Sequence, residues 1–339
     1  MIIDKVKLQE ALEIVKPGLA NKEIVEQFTS FAFVNGKVVT YNDEISISHP
    51  VDGLELEGAV KADKLYPLLS KIKKDEIEIS IIKNEIILKA GRIKAGLSMQ
   101  SEVTLPLDEE IAQKKKWKPL PDNFTKFLSF AMGSCSRDST KSIYCVHVQE
   151  KGFIEGTDNY RLTKCDLNAQ MPVKTFLIPA PSAAQVVRIS PTKIAEGNGW
   201  IHFKNDIGTQ ISCRLFSEDE FQDTSNFSDL KGIRLVLPKT IRDALDRASV
   251  FSKMDNPLEE EVIISIGDKR FKMRAEADSG WYEEEINLKY KGNPLVFAIT
   301  PSLLRGILSE TGVCEYTKNK LKFEGEGWFH ITALREIKQ

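Results

Sequence analysis

The sequence predicts an α+β fold built from three copies of one unit, and three observations point to it. First, a strand, a polar turn, a second strand and a short amphipathic helix recur in order: Val38–Pro50 leading to Val60–Ile72, Phe153–Leu167 leading to Ile178–Ile189, and Phe271–Leu288 leading to Ile299–Glu310. Second, the lead-ins to those helices, Val60, Ile178 and Ile299, stand 118 and 121 residues apart. Third, each third of the chain opens with a helix of its own, again at a spacing of roughly 116–118 residues. A domain-sized period of this kind indicates a modular, ring-compatible protein rather than an enzyme with one cleft.

The elements follow in order. Leu8, Leu12 and Val15 recur at helical spacing, and Pro17-Gly18 ends that helix. In the second third Asp122 is placed to cap a helix carrying Phe124, Phe127, Leu128 and Ala131. In the last third Pro238 precedes Ile241, Ala244, Leu245 and Ala248 at a first-turn position. Between the helices run β-rich, often alternating stretches, with Lys83-Asn84 and Gly267-Asp268 as hairpin turns. Polar stretches at Asp108–Pro121 and Glu218–Lys231 mark the boundaries, giving domains 1–115, 116–231 and 232–339. The run Lys114-Lys115-Lys116-Trp117-Lys118 reads as a solvated linker, with DNA contact as the alternative.

Composition bounds the function. With 339 residues, 42% hydrophobic and 28% charged, the chain matches a soluble protein of two or three domains. The net charge of −2 argues against coating nucleic acid by bulk electrostatics, though not against local basic surfaces. No apolar run is long enough to span a membrane, so no membrane partner is expected. Asp4 and Glu10 interrupt the stretch a signal peptide would need, and five dispersed cysteines suit free thiols, so a cytoplasmic location is expected.

Several stretches, in order, resemble the bacterial DNA sliding clamp, the β subunit of DNA polymerase III. Thr157-Asp158-Asn159-Tyr160-Arg161-Leu162 looks like that family's threonine-aspartate-glycine-histidine-arginine-leucine turn, and Ile178-Pro179 like its helix lead-in. Ser212-Cys213-Arg214-Leu215 followed by Phe221-Gln222-Asp223, Ala244-Leu245-Asp246-Arg247-Ala248, and Lys89-Ala90-Gly91-Arg92 are similar to further family segments. The resemblance spans nearly the whole chain, and the order and spacing of these segments give it its strength. It implies three clamp-type domains, each with two helices packed on antiparallel sheets. Two chains would then close a six-domain homodimeric ring around double-stranded DNA. Encirclement retains DNA topologically, so a slightly acidic protein can stay attached without tight phosphate binding.

The resemblance also implies sites. Partners such as the replicative DNA polymerase and the clamp loader would dock in a pocket made by Thr157, Asn159, Tyr160, Arg161, Leu162, Gln222, Asn226, Phe227, Ile331, Thr332 and Leu334. Leu162 and Ile331 also read as ordinary core. Basic side chains expected to face DNA are Lys22 in a loop, then Lys64, Lys71, Lys126, Arg188, Arg242 and Arg305 on helices, with Lys7 and Lys16 flanking the first. Acidic neighbours Asp63, Asp243 and Asp246 show that this face is not purely basic. Leu105, Val250 and Phe251 are the expected dimer-interface residues, Phe251 having a core reading as well. The chain departs from the family where Asn159 replaces glycine, Tyr160 histidine and Gln222 proline. It departs again at Thr332-Ala333-Leu334-Arg335-Glu336, so an altered peptide preference is expected.

Catalysis has little support. His49, His147, His202 and His330 are isolated, and Cys145 with His147 is a spacing common by chance. No nucleophile elbow, Walker A loop or dinucleotide fingerprint is present, so neither cofactor nor metal is expected. The reading is a non-enzymatic processivity factor. A repeat-built scaffold that does not encircle DNA, or a phosphodiester-cleaving enzyme, are the alternatives.

Overall fold

The computed structural model of the protein describes residues 1–107, 115–217, 221–227, 230–255, 259–335 and 337. One order of elements runs through it three times: a strand, a helix, four strands, a second helix and three strands. The first pass is β1 (Ile2–Asp4), α1 (Lys5–Val15), β2 (Ser30–Val34), β3 (Lys37–Tyr41), β4 (Ile45–Pro50), β5 (Gly58–Lys61), α2 (Ala62–Lys71), β6 (Glu76–Ile82), β7 (Glu85–Ala90) and β8 (Ile93–Gln100). The second is β9 (Lys118–Pro119), α3 (Phe124–Met132), β10 (Cys145–Val148), β11 (Phe153–Thr157), β12 (Arg161–Asp166), β13 (Phe176–Pro179), α4 (Ala180–Ile189), β14 (Lys193–Glu196), β15 (Trp200–Lys204) and β16 (Gln210–Arg214). The third is β17 (Ile233–Val236), α5 (Ile241–Ser252), β18 (Val262–Gly267), β19 (Arg270–Ala277), β20 (Gly280–Asn287), β21 (Leu295–Ile299), α6 (Pro301–Arg305), β22 (Val313–Thr317), β23 (Lys320–Gly325) and β24 (Trp328–Ala333).

Local chemistry explains the helices. Asp4 starts α1 by accepting from the amides of Val6 (2.8 Å) and Lys7 (3.1 Å), and Leu8, Ala11, Leu12 and Val15 form its buried stripe. In α2 the buried stripe is Leu65 and Leu69 with Ile72 just beyond the end, and Leu68 is half-buried. Helix α5 buries Ile241, Ala244, Leu245 and Ala248 as their spacing requires.

Four local expectations are corrected. Helix α3 is entered through Asn123, held at φ 63°, one residue after the expected cap at Asp122. The β18–β19 hairpin pairs Gly267 with Arg270, so its turn is Asp268-Lys269, both at positive φ (46° and 64°), rather than Gly267-Asp268. The segment expected as one helix over 299–310 is a single turn, α6, followed by a 3-10 turn at Ile307–Ser309, with Gly306 between them. The lysine run does not remain a linker throughout: Lys118-Pro119 forms β9 and pairs with β14, whereas Lys114 lies outside the described residues.

The chain divides into two compact units, Met1–Lys126 with Met171–Ser217 and Phe127–Gln170 with Glu218–Gln339, so the middle pass is shared between them. In the first unit one antiparallel sheet runs β1-β6-β7-β8-β5-β2-β3-β4-β16-β15-β14-β9. In the second, β10-β11-β12-β24-β23-β22-β17 follow one another, and β20-β19-β18-β21 form a separate sheet. The ladders explain the division. The last strand of a later pass, β16 or β24, pairs with an outer strand of the pass before it, β4 or β12. Backbone hydrogen bonds thus tie neighbouring passes together.

Candidate partner-docking site and DNA-facing residues

The turn expected to dock partners leads into β12 where that strand pairs with β24. Arg161 stands opposite Thr332, and Leu162 opposite Ile331. The turn that leads into β12 is held by Asp158, whose Oδ1 accepts from the amides of Tyr160 and Arg161, both at 3.0 Å. The Asp158 Oδ2 accepts from Arg161 Nε at 2.9 Å, so the guanidinium is committed to its own turn. Asn159 sits at φ 73°, a left-handed conformation that asparagine tolerates in place of glycine. Thr157 closes the hairpin by donating from Oγ1 to the Arg161 carbonyl at 2.7 Å.

The end of β24 is fastened to this turn. Ala333 N donates to the Tyr160 carbonyl at 2.7 Å, and Leu334 N to the Asn319 carbonyl at 2.9 Å. A 3-10 turn at Ser225–Phe227 brings Phe227 beside Lys320, whose Nζ lies 4.7 Å from the ring centroid. Gln222 Nε2 donates to Thr157 Oγ1 at 3.5 Å.

The structure therefore brings the expected residues to one place and sorts them. Thr157, Leu162, Ile331 and Thr332 are buried and hold the frame. Tyr160, 51% exposed, forms a lip with the half-buried Arg161, Phe227 and Leu334 and the exposed Gln222 and Asn226. Glu336, part of the divergent terminal text, lies outside the described residues. Asp158 and Lys320 were missed as site residues. Asp158 was readable as an aspartate opening a turn, but the place of Lys320 depends on its pairing with Ala333 across β23 and β24.

The basic side chains are distributed over helices and one loop. Lys22, Lys71, Lys126 and Arg242 are exposed. Lys64 is exposed too and pairs with Asp63 at 3.2 Å. Arg188 donates to the Glu13 carbonyl at 3.4 Å and also to the Ile14 carbonyl. It thereby places its charge at the C-terminal end of α1, where the helix dipole favours a cation. Arg305 is held by Asp246 at 2.8 Å and by Ser249 at 2.8 Å.

Of the expected interface residues, Val250 is 69% exposed, and Phe251 is half-buried with its ring stacked on Tyr282 of β20 at 6.3 Å. Leu105 is 6% exposed and packs with Phe28, Ala32, Val39, Tyr41 and Ala59.

Cys145, His202 and His330 are buried. Burial pushes the Cys145 thiol up to about 12, far from the thiolate a nucleophile needs. Burial pulls both His202 and His330 down to about 3, so both are neutral at physiological pH. Among the described residues no group of three or more His, Cys, Asp or Glu side chains could hold a metal ion.

Comparison with known proteins agrees with this geometry. The chain is 23% identical over 277 residues to the beta sliding clamp of Pseudomonas aeruginosa, covering 76% of this chain and 73% of that one. It superposes on the crystal structure of the P. aeruginosa sliding clamp bound to griselimycin with a TM-score of 0.83, at 16% identity and 99% coverage of both chains. The Bacillus subtilis sliding clamp gives a TM-score of 0.80, also at 16% identity and 99% coverage of both. The chain has the sliding-clamp fold. The likeness of the fold is complete even though the sequences have diverged far, and no family model matches the chain. The resemblance carried by the 157–162 turn and its companions is thus borne out by both the relative and the architectures.

Proposed function

We propose that this chain is a DNA sliding clamp: two copies close a ring around duplex DNA and tether a replicative polymerase to it. The observation that carries the reading is a pair of open strand edges. At β4–β16 and at β12–β24, the outer strand of one pass pairs with the last strand of the next. Two strands in the corresponding positions lack such a partner. Among the described residues β20 pairs only with β19, and Ile93–Ser98 of β8 pair only with β7. A second copy offering β20 to β8, and the reverse, repeats the internal junction twice and closes a head-to-tail ring of two-fold symmetry. Phe251 backs the β20 edge from within its own chain. The limits 1–115, 116–231 and 232–339 are then the three domains of each half-ring.

The lip around Tyr160, Phe227 and Leu334 serves as the docking pocket for partner peptides, including those of the polymerase and a clamp loader. Exposed Lys22, Lys71, Lys126 and Arg242 serve as loose DNA contacts, weak enough to permit sliding. Such a protein acts without catalysis, in the cytoplasm at replicating DNA.

The experiment is retention on DNA. A loaded ring stays on nicked circular DNA at high salt and leaves when the circle is cut once. Rapid loss from the intact circle sinks the clamp reading in favour of a scaffold, and metal-dependent cleavage of the circle would favour an enzyme.

A further inference from the structure

Residues Phe221 to Phe227 lie as a strap over one face of β11 and β12. The Phe221 ring meets His147 at 4.6 Å, Gln222 reaches Thr157 at 3.5 Å, and Thr224 Oγ1 accepts from Lys164 Nζ at 3.2 Å. Of the seven residues only Thr224 is buried, at 5% exposure; Gln222, Asp223, Ser225 and Asn226 are exposed, and the two phenylalanines are half-buried. Apolar burial therefore cannot hold the strap by itself. Its pin is Thr224.

Beneath the pin is Glu155, a carboxylate with 1% exposure. Strand alternation places it on the same face as Phe153 and Thr157. Thr224 donates its hydroxyl proton to one carboxylate oxygen and Gln149 Nε2 donates to the other. Lys164 Nζ stands 3.4 Å from Oε2 and His147 Nδ1 3.5 Å from Oε1. Burial pushes the carboxyl up, but the bonds from His147 and Thr224 and the charge of Lys164 outweigh it and hold it below the usual carboxylate range. It is thus an ionised acceptor, the state in which a hydroxyl donates most strongly to it. Gly156 next to it packs closely on the preceding helix: a Cβ there would come within 2.0 Å of the Ala131 carbonyl oxygen.

We propose that Glu155 is a positioning residue for partner docking: by holding Thr224 from below, it fixes the strap that presents Gln222 and Phe227 at the pocket lip. This rests on the docking reading above. A buried ionic hub is a costly way to hold a loop, but it places the strap in one register, as a pocket lip requires.

The test measures two things on the full chain. Hydrogen exchange of residues 221–227 and calorimetric binding of griselimycin are compared for the parent, Glu155→Ala, Glu155→Gln and Thr224→Val. Glu155→Ala and Thr224→Val are expected to speed strap exchange and weaken griselimycin, each by about tenfold or more, with β18 and β19 unchanged. Glu155→Gln, which keeps an acceptor oxygen, should lie between them and the parent. Unchanged strap exchange in Thr224→Val, which barely alters shape, overturns the proposal, as does a loosened strap with undiminished affinity. No griselimycin binding by the parent chain, or binding that Tyr160→Ala with Leu334→Ala leaves undiminished, counts against the docking reading and removes the pocket half of the proposal. The exchange measurements still decide whether Glu155 holds the strap.

Discussion

At the β4–β16 junction the Glu44 carbonyl accepts from Arg214 N at 2.8 Å; at β12–β24 the Tyr160 carbonyl accepts from Ala333 N at 2.7 Å. The likeness extends through both turns. Asn42 Oδ1 accepts from the amides of Glu44 (3.2 Å) and Ile45 (3.0 Å), as Asp158 does from Tyr160 and Arg161. Asp43 and Asn159, next in line, sit at φ 67° and 73°. The difference lies in what fills the corner. In the first unit Tyr41 takes the place held by Thr157 in the second. It packs with Phe28 and Leu105, and Trp200 lies against that cluster with Arg214 over its ring at 5.0 Å. In the second unit the corner has the small Thr157, and Tyr160 stands 51% exposed. One backbone frame therefore makes a sealed joint or an open lip, according to whether the chain supplies its own plug.

Leu105→Ala removes a plug and should cost about 2–5 kcal/mol of unfolding free energy in urea titration; a loss below about 1 kcal/mol would mean the corner is not packed as described. Behind the junctions, Thr163 and His330 occupy the positions of Ile47 and Ile211. His330, pulled down to about 3 by burial, stays neutral when folded but takes up a proton when unfolded. Its contribution is intact above pH ~6.5 and falls as pH drops from there towards 3, at most about 1.4 kcal/mol per pH unit. Replacing Thr163 and His330 together with isoleucine should make the stability–pH profile less steep over that window, leaving the share of His202, which burial also pulls down to about 3, and an unchanged slope would assign the acid loss elsewhere. If the lip docks partners as proposed, Tyr160→Ala with Leu334→Ala should weaken partner-peptide binding about tenfold or more, while unfolding free energy moves by less than about 1 kcal/mol. Asp43→Asn, which keeps a residue that tolerates φ 67° and removes only the charge of an exposed 3.9 Å pair with Arg214, should change stability by less than about 0.5 kcal/mol.

Much of this was legible in the sequence because the signals are local. Asp4, Pro17-Gly18 and the Leu8-Leu12-Val15 stripe specify α1 without help from elsewhere, and a buried stripe at helical spacing recurs in α2, α4 and α5. The 157–162 text disclosed its turn, in which Asn159 takes a left-handed conformation in place of glycine. Illegible were the features set by pairing over long distances. Leu105 reads as an apolar residue near a polar stretch, and only the fold places it among Phe28, Ala32 and Tyr41. Ile299–Glu310 has an even helical pattern, yet Gly306 divides it. Glu155 reads as an ordinary exposed strand carboxylate until the strap is seen above it.

By itself the sequence determined the threefold period, the helix stripes and the turn chemistry, because propensity, capping and alternation act within a few residues of one another. The tertiary structure decided which strands join neighbouring passes, which edges stay open, and which of the two junctions is sealed. Those outcomes depend on registers such as Cys213 with Ile45 and Thr332 with Arg161, pairs about 170 residues apart in the chain, which no local pattern can set.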